Sequence, residues 1–210
     1  LRFDDGSSAY LTRTPSSAGN RKTWTWSCWL KLGDFTTTRR LFMATQGANI
    51  NSTGDMSFVF LTSGKLLFQQ NATSGVTFTT TAVYRDPSAW YNFVLVFDST
   101  DGTANDRCKI YVNGVRQEGT NNGTITSNLD GYVNTTNFHT IGMWQATNQP
   151  YDGYLSEVNF IDGSALDPTS FGETKNGVWI AKEYTGSYGT NGFRLQFNQT
   201  GVGTASTSTI

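Results

Sequence analysis

The stretch YDGYLSEVNFIDGSALDP, residues 151–168, sets two carboxylates, Asp152 and Glu157, among aromatic and glycine residues. Paired carboxylates are the machinery of glycoside hydrolysis. One protonates the leaving oxygen, the other attacks the sugar or activates water, and the two stand roughly 5 to 9.5 Å apart. Alternate residues of a strand share one face, so an acid pair on a strand needs even spacing. Asp152 and Glu157 are five positions apart, which in a regular strand puts them on opposite faces, roughly 17 Å apart at about 3.3 Å per residue. Glu118, Glu173 and Glu183 each lack an acid two residues away, and no Glu-x-Asp occurs in the chain. The spacing therefore predicts no sugar-cutting pair, and no catalytic residue is assigned.

Other chemistries have even less to work with. The single His139, in FHTIGMW, has no second histidine for a zinc site, no serine-nucleophile elbow and no catalytic-cysteine signature beside it. It reads as a strand histidine partly buried beside a sheet. Cys28 and Cys108 sit in alternating apolar runs, WTWSCWLK and RCKIYV, and are expected to be buried free thiols, since cysteine packs as a small apolar residue. TNNGTITSN lacks the lysine of a phosphate loop and reads as a polar turn. A non-enzymatic protein is expected.

Two stretches could bind rather than react. FDSTDGTANDR, residues 97–107, gathers Asp98, Asp101, Asn105 and Asp106, oxygen ligands of the kind calcium takes. No glutamate closes a twelve-residue calcium loop, and the same residue types form turns, so both readings stand. No other cofactor is indicated. GMWQATNQPYDG supplies Trp144, Gln145, Asn148 and Tyr151 in one loop, aromatic faces with short polar side chains suited to contacting a glycan. Trp144 alternatively covers the sandwich edge. Trp29, on the opposite parity to the apolar face of its strand, is a further glycan candidate and would line a concave face with Thr25 and Ser27.

The elements that must position these residues are strands. Period-two alternation recurs at WTWSCWLK, RRLFMAT, MSFVFLT, KLLFQQ, GVTFTTT, WYNFVLVF, RCKIYV, FHTIGMW, YLSEVNFI and FRLQF, with LRFD and AYLTR at the start. Roughly a dozen short strands predict an all-β, two-sheet antiparallel jelly-roll sandwich with almost no helix. Trp24, Trp26, Cys28 and Leu30 should face its core, as should Tyr154, Val158 and Phe160, with Glu157 opposite. Ser63-Gly64 and Asn113-Gly114 predict hairpins, and Asp167-Pro168 a capped helical turn stopping by Gly172. Residues 1–197 read as one domain, and NQTGVGTASTSTI, residues 198–210, as an extended polar tail or linker. Only 15% of residues are charged and the net charge is −1, which disfavours nucleic acid or an anionic membrane as partner. No apolar run approaches the roughly 20 residues of a membrane-spanning helix. The start on Leu1 fits a processed chain or a piece of a longer one.

The order WTWSCWLK, WYNFVLVFD, KIYVNGV, HTIGMW, YDGYLSEVNFID resembles the laminin-G-like and concanavalin-A-like jelly-roll superfamily over about residues 1 to 197. The resemblance implies that FRLQF is a last strand returning beside the first. It also implies that loop-borne calcium sites occur in relatives, and that the outer face bearing Trp29 can be covered by loops. Laminarinase-type hydrolases share the fold but carry Glu-x-Asp-x-(x)-Glu, which is missing here. SSAYLTRTPSSAGNRKTWTWSCWLK, FIDGSALDPTSFGE and GVWIAKEYTGSYGTNGFRLQF are similar to laminin-G-like domains of tailed-bacteriophage virion proteins, especially marine and cyanophage ones. That similarity implies a structural protein on the particle surface, as capsid decoration, fibre or tail-associated domain. It would be assembled in the host cytoplasm, contact other virion proteins in symmetric copies and aid host attachment. A carbohydrate-binding, lectin-like module recognising cell-surface polysaccharide is the alternative, and a laminarinase-like hydrolase the third.

Overall fold

A computed structural model describes residues 1–47, 55–70, 75–144 and 149–198. The first eight strands are β1 (Arg2–Phe3), β2 (Leu11–Arg13), β3 (Thr23–Leu32), β4 (Arg39–Thr45), β5 (Asp55–Phe60), β6 (Leu66–Gln70), β7 (Val76–Thr80) and β8 (Tyr91–Asp98). The rest are β9 (Cys108–Val112), β10 (Val115–Arg116), β11 (Gly119–Asn122), β12 (His139–Ile141), β13 (Gly153–Asp162), β14 (Gly172–Lys175), β15 (Val178–Ala181) and β16 (Phe193–Leu195). No α-helix occurs among the described residues. The capped turn lies at Pro168–Ser170, where the Asp167 side chain accepts from the Thr169 amide.

Two antiparallel sheets face each other. The first runs β1-β13-β3-β8-β9-β10, with β16 also on β13, and the second runs β11-β7-β6-β5-β4-β12-β2. The alternation of WTWSCWLKL explains the central strand: Trp24, Trp26, Cys28 and Leu30 all enter the core between the sheets. Trp24 stacks on Phe97 at 5.3 Å and Trp26 on Phe42 at 5.7 Å, so rings from both sheets interlock. Truncating either indole to alanine is expected to cost about 3–5 kcal/mol. Both predicted hairpins form. Asn113 and Gly114, at φ 48° and 80°, make the left-handed pair that a two-residue turn between β9 and β10 requires. The Trp179 indole would lie 2.6 Å from any Cβ added at Gly114.

Strand β13 departs from the regular strand that the sequence suggested. Its register on β3 slips between Ser156 and Asn159, and Glu157 there has φ 49°. This bulge inserts a residue, so Leu155, Val158 and Phe160 face the core while Tyr154 faces out, 42% exposed. The expected placement of Tyr154 in the core is therefore corrected. β16 pairs with β13, not with β1, although both use the same edge of that strand. Cys28 and Cys108 are free and buried.

Residues after β13 cross the outer face of the first sheet as a strap. A second, smaller core forms there from Val94, Val96, Ile161 and Phe171, with Leu166, Tyr184 and Tyr188 packed on it. The hairpin of β14 and β15 belongs to this strap, and Trp179 on it donates its indole N–H to Asn92 Oδ1 at 3.0 Å. The strap explains why Thr25 and Ser27, polar and outward on β3, are nevertheless buried. Of the tail, only Asn198 is among the described residues.

Candidate functional site

The acids come first. The β13 bulge removes the premise that Asp152 and Glu157 lie on one regular strand, so parity alone no longer separates them. Their partners do. Asp152 lies beside Asp4 and Asp5, with carboxylate oxygens within 4.8 Å of one another, and Asp5 pairs with Arg39 at 3.0 Å. Glu157 is bound to Arg194 at 2.9 Å, and Arg194 also holds Glu183. Glu157 is tied to a cation while Asp152 sits with other carboxylates, so the two acids share no partner.

The loop proposed for calcium is organised by turns and ion pairs. Asp98 Oδ1 accepts from the Thr100 amide at 3.0 Å and hydroxyl at 2.6 Å, and from Thr23 Oγ1 at 3.2 Å. Asp101 accepts from the Thr103 amide at 2.9 Å, the bond that most lowers its pKa, and its other oxygen meets Lys109 at 3.4 Å. Asp106 pairs with Arg116 at 2.5 Å, and Asn105 accepts from Asn121 at 3.4 Å. These side chains point to separate partners, so the structure does not gather them into a cage.

His139 lies in β12, buried. Its Nε2 accepts from the Asn134 amide at 2.9 Å, and Nδ1 lies 2.8 Å from the Asn137 carbonyl, to which it donates. Burial, aided by the charge of Arg13, lowers its pKa to about 4 although the Asn137 bond opposes this, so the ring is neutral and both nitrogens are occupied. Beside it, Asp162 Oδ1 accepts from the Asn20 amide at 2.8 Å and from Asn134 Nδ2 at 2.5 Å, and Oδ2 from the Asn191 amide at 3.0 Å. That network pins three distant loops to β13.

Of the glycan candidates, Gln145 and Asn148 lie outside the described residues. Tyr151 is corrected: it is fully buried, its ring edge-on to Phe3 at 5.7 Å and its hydroxyl donating to the Lys31 carbonyl at 2.9 Å. It anchors the core and offers no face to a ligand. Trp29 is half-buried, and its indole N–H meets no acceptor among the described residues. Trp144 is half-buried and lies over the Arg40 guanidinium at 5.0 Å.

That contact opens onto a polar network which sequence reasoning missed. On the second sheet Arg40 pairs with Asp55 at 3.1 Å, donates to Gln149 Oε1 at 2.9 Å and meets Ser57 Oγ. Gln69 Nε2 donates to the same Asp55 at 3.2 Å. Ser57 and Gln69 are directly paired in the β5–β6 register, and Met56 and Phe58 flank Ser57 with side chains in the core, so Ser57 and Gln69 point away from it. Burial lowers the Arg40 pKa and Asp55 restores part of it. The signal available in sequence was the pair of arginines opening the otherwise apolar RRLFMAT.

Solved structures share this architecture. The mouse laminin alpha1 chain, domains LG4-5, aligns at TM-score 0.55 and 9% identity, over 93% of this chain and 46% of that one. A heptameric SAP-like pentraxin from Limulus polyphemus aligns at 0.51 and 20% identity, over 75% and 70% of the two chains. The CBM40 of Ruminococcus gnavus IT-sialidase aligns at 0.50 and 12%, over 77% and 95%. These likenesses establish the fold. No curated protein matches the chain in sequence. Residues 5–171 match the sequence model of Laminin_G_3, described as the concanavalin A-like lectin/glucanases superfamily, and the chain belongs to that family.

Proposed function

We propose that this chain is a non-enzymatic domain displayed on a bacteriophage particle, packed against other virion proteins in symmetric copies. The observation that carries the reading is the strap. Most of the phage-like stretch at residues 162–197 forms an added layer with a small core over the first sheet before β16 rejoins that sheet, and it continues beyond the end of the family match at residue 171. A rigid sandwich sealed in this way suits a repeated surface component whose loops vary without disturbing the core. A density map of purified source particles tests it: the domain should be found at a fixed position on the capsid, tail or fibre. Its absence from purified particles would sink the proposal.

A second reading, compatible with the first, is carbohydrate recognition for host attachment. It is favoured by Trp144 over Arg40, an aromatic face joined to an ordered network of hydrogen-bonding side chains. A carbohydrate-binding module, the CBM40 of Ruminococcus gnavus IT-sialidase, shares the fold. Host-cell adsorption and glycan-array binding by the isolated domain should both fall in Trp144→Ala, and a domain that adsorbs to no glycan or host cell refutes this reading. Incubation with laminarin should release no reducing ends. Their release would instead favour the hydrolase.

A further inference from the structure

The strap leaves one end of the first sheet's outer face open. In the antiparallel register Arg2 stands opposite Tyr154, and Tyr154 opposite Lys31. Leu30 pairs with Tyr91, so Trp90, one residue before β8, continues the same row beside Lys31. Residues directly opposite in adjacent strands share a face. The row Arg2, Tyr154, Lys31, Trp90 therefore crosses four neighbouring chain segments, about 14 Å at roughly 4.8 Å per strand. Trp90 and Tyr154 are 43% and 42% exposed, although large rings are usually covered. Their centroids are 6.5 Å apart and their planes tilted by 56°, so they lean together over the lysine between them.

The polar groups around the rings are of both signs. Arg2 and Lys31 form no ion pair with any described residue, which leaves their donors available. Asp86 lies near enough to Lys31 for the lysine to contribute to lowering its pKa, behind the larger effect of hydrogen bonds from Ser88. Asp152 stands two positions before Tyr154, just ahead of β13. Two tilted aromatic faces flanked by cationic donors and carboxylate acceptors match a chain of sugar rings. Such a chain presents apolar C–H faces to the rings and hydroxyls that both donate and accept. Asp4 and Asp5 beside Asp152 add acid to this edge, so the charge is mixed and gives a polyanion no field to follow.

We propose that Trp90 and Tyr154, with Arg2 and Lys31, form a binding site for a neutral polysaccharide, on the sheet opposite Trp144 and independent of it. The test uses the whole chain, first on an array of neutral hexose oligosaccharides and then by calorimetry with the hexasaccharide that binds best. Trp90→Ala and Tyr154→Ala should each weaken binding at least about tenfold, a difference of roughly 1.4 kcal/mol. Lys31→Gln should weaken it less, and Trp144→Ala, run alongside, reads out the other sheet separately. Circular dichroism should show all four variants folded, as expected for changes at exposed or half-buried positions. The proposal is overturned if no neutral oligosaccharide binds, or if both ring variants bind like the wild type. Tighter binding of a hexauronate or an oligothymidylate overturns it too. Loss of binding only in Trp144→Ala would refute this site while supporting the one on the other sheet.

Discussion

Protonating His139 should destabilise the domain, and the effect can be isolated. The imidazole is held neutral between a donor and an acceptor: the Asn134 amide points at Nε2 and the Asn137 carbonyl receives the Nδ1 proton. A second proton would set two N–H groups against each other in a buried place. With a folded-state pKa of about 4 against 6.5 for the free ring, the unfolded chain binds more protons between those values. Stability therefore rises with pH across this window. The contribution is fully present above about pH 6.5 and is lost as pH falls toward 4. The depression corresponds to about 3 kcal/mol in full at roughly 1.36 kcal/mol per unit, of which about 2 kcal/mol is lost by pH 5. Hydrogen bonds lower the pKa values of Asp34, Asp86 and Asp101 below the usual carboxylate range, so their losses fall beneath this window. Denaturant unfolding followed by tryptophan fluorescence at pH 7, 6 and 5 measures the slope. In His139→Gln, which keeps an acceptor and a donor but cannot ionise, the slope should flatten. As the chain has one histidine, its ring proton in a tag-free sample also reports the pKa directly by NMR. An imidazole titrating near 6.5, or equal slopes in wild type and variant, would refute the reasoning.

Asp55→Asn should cost about 3–5 kcal/mol, because it leaves the Arg40 cation buried without its counter-charge. The joint replacement Arg40→Met with Asp55→Leu should recover most of that loss in the same unfolding assay. Burial pushes both cysteine thiols up. Native protein should therefore resist a thiol reagent at pH 8, while urea should release two reactive groups without reductant. Gly114→Ala should lower the melting temperature by several degrees, through strain of about 1 kcal/mol or more at φ 80° and displacement of the Trp179 ring.

The sandwich was legible in the sequence because period-two alternation is a local property, and the rows of rings in β3, β8 and β13 carry it plainly. The short outer strands β11, β14 and β15 were not, since four mostly exposed or half-buried residues hold no alternation to read. The bulge in β13 was hidden too: nothing in YLSEVNFI announces an inserted residue, and Tyr154 was placed in the core as a result. Tyr151 shows the same limit from the other side. Its neighbours in sequence are polar loop residues, and only the arrival of Phe3 from the opposite end of the chain makes it a core ring. Arg40, Asp55 and Gln69 lie on three strands, so their network exists only once the second sheet has formed.

The pairing of β3 with β13 also sets a timetable for how the protein is made. Strands β4 to β7 pair in sequence order and can form a meander as soon as they leave the ribosome. Central β3 has only β8 on one side until residues 153–162 have been synthesised, and such distant closures are slow. Until then Trp24 and Trp26 belong to a half-built layer with an open hydrogen-bonding edge, the kind that recruits other chains. A chain stopped before β13 is therefore expected to aggregate rather than persist as a smaller domain, and high-level production should favour conditions that slow its association with other copies.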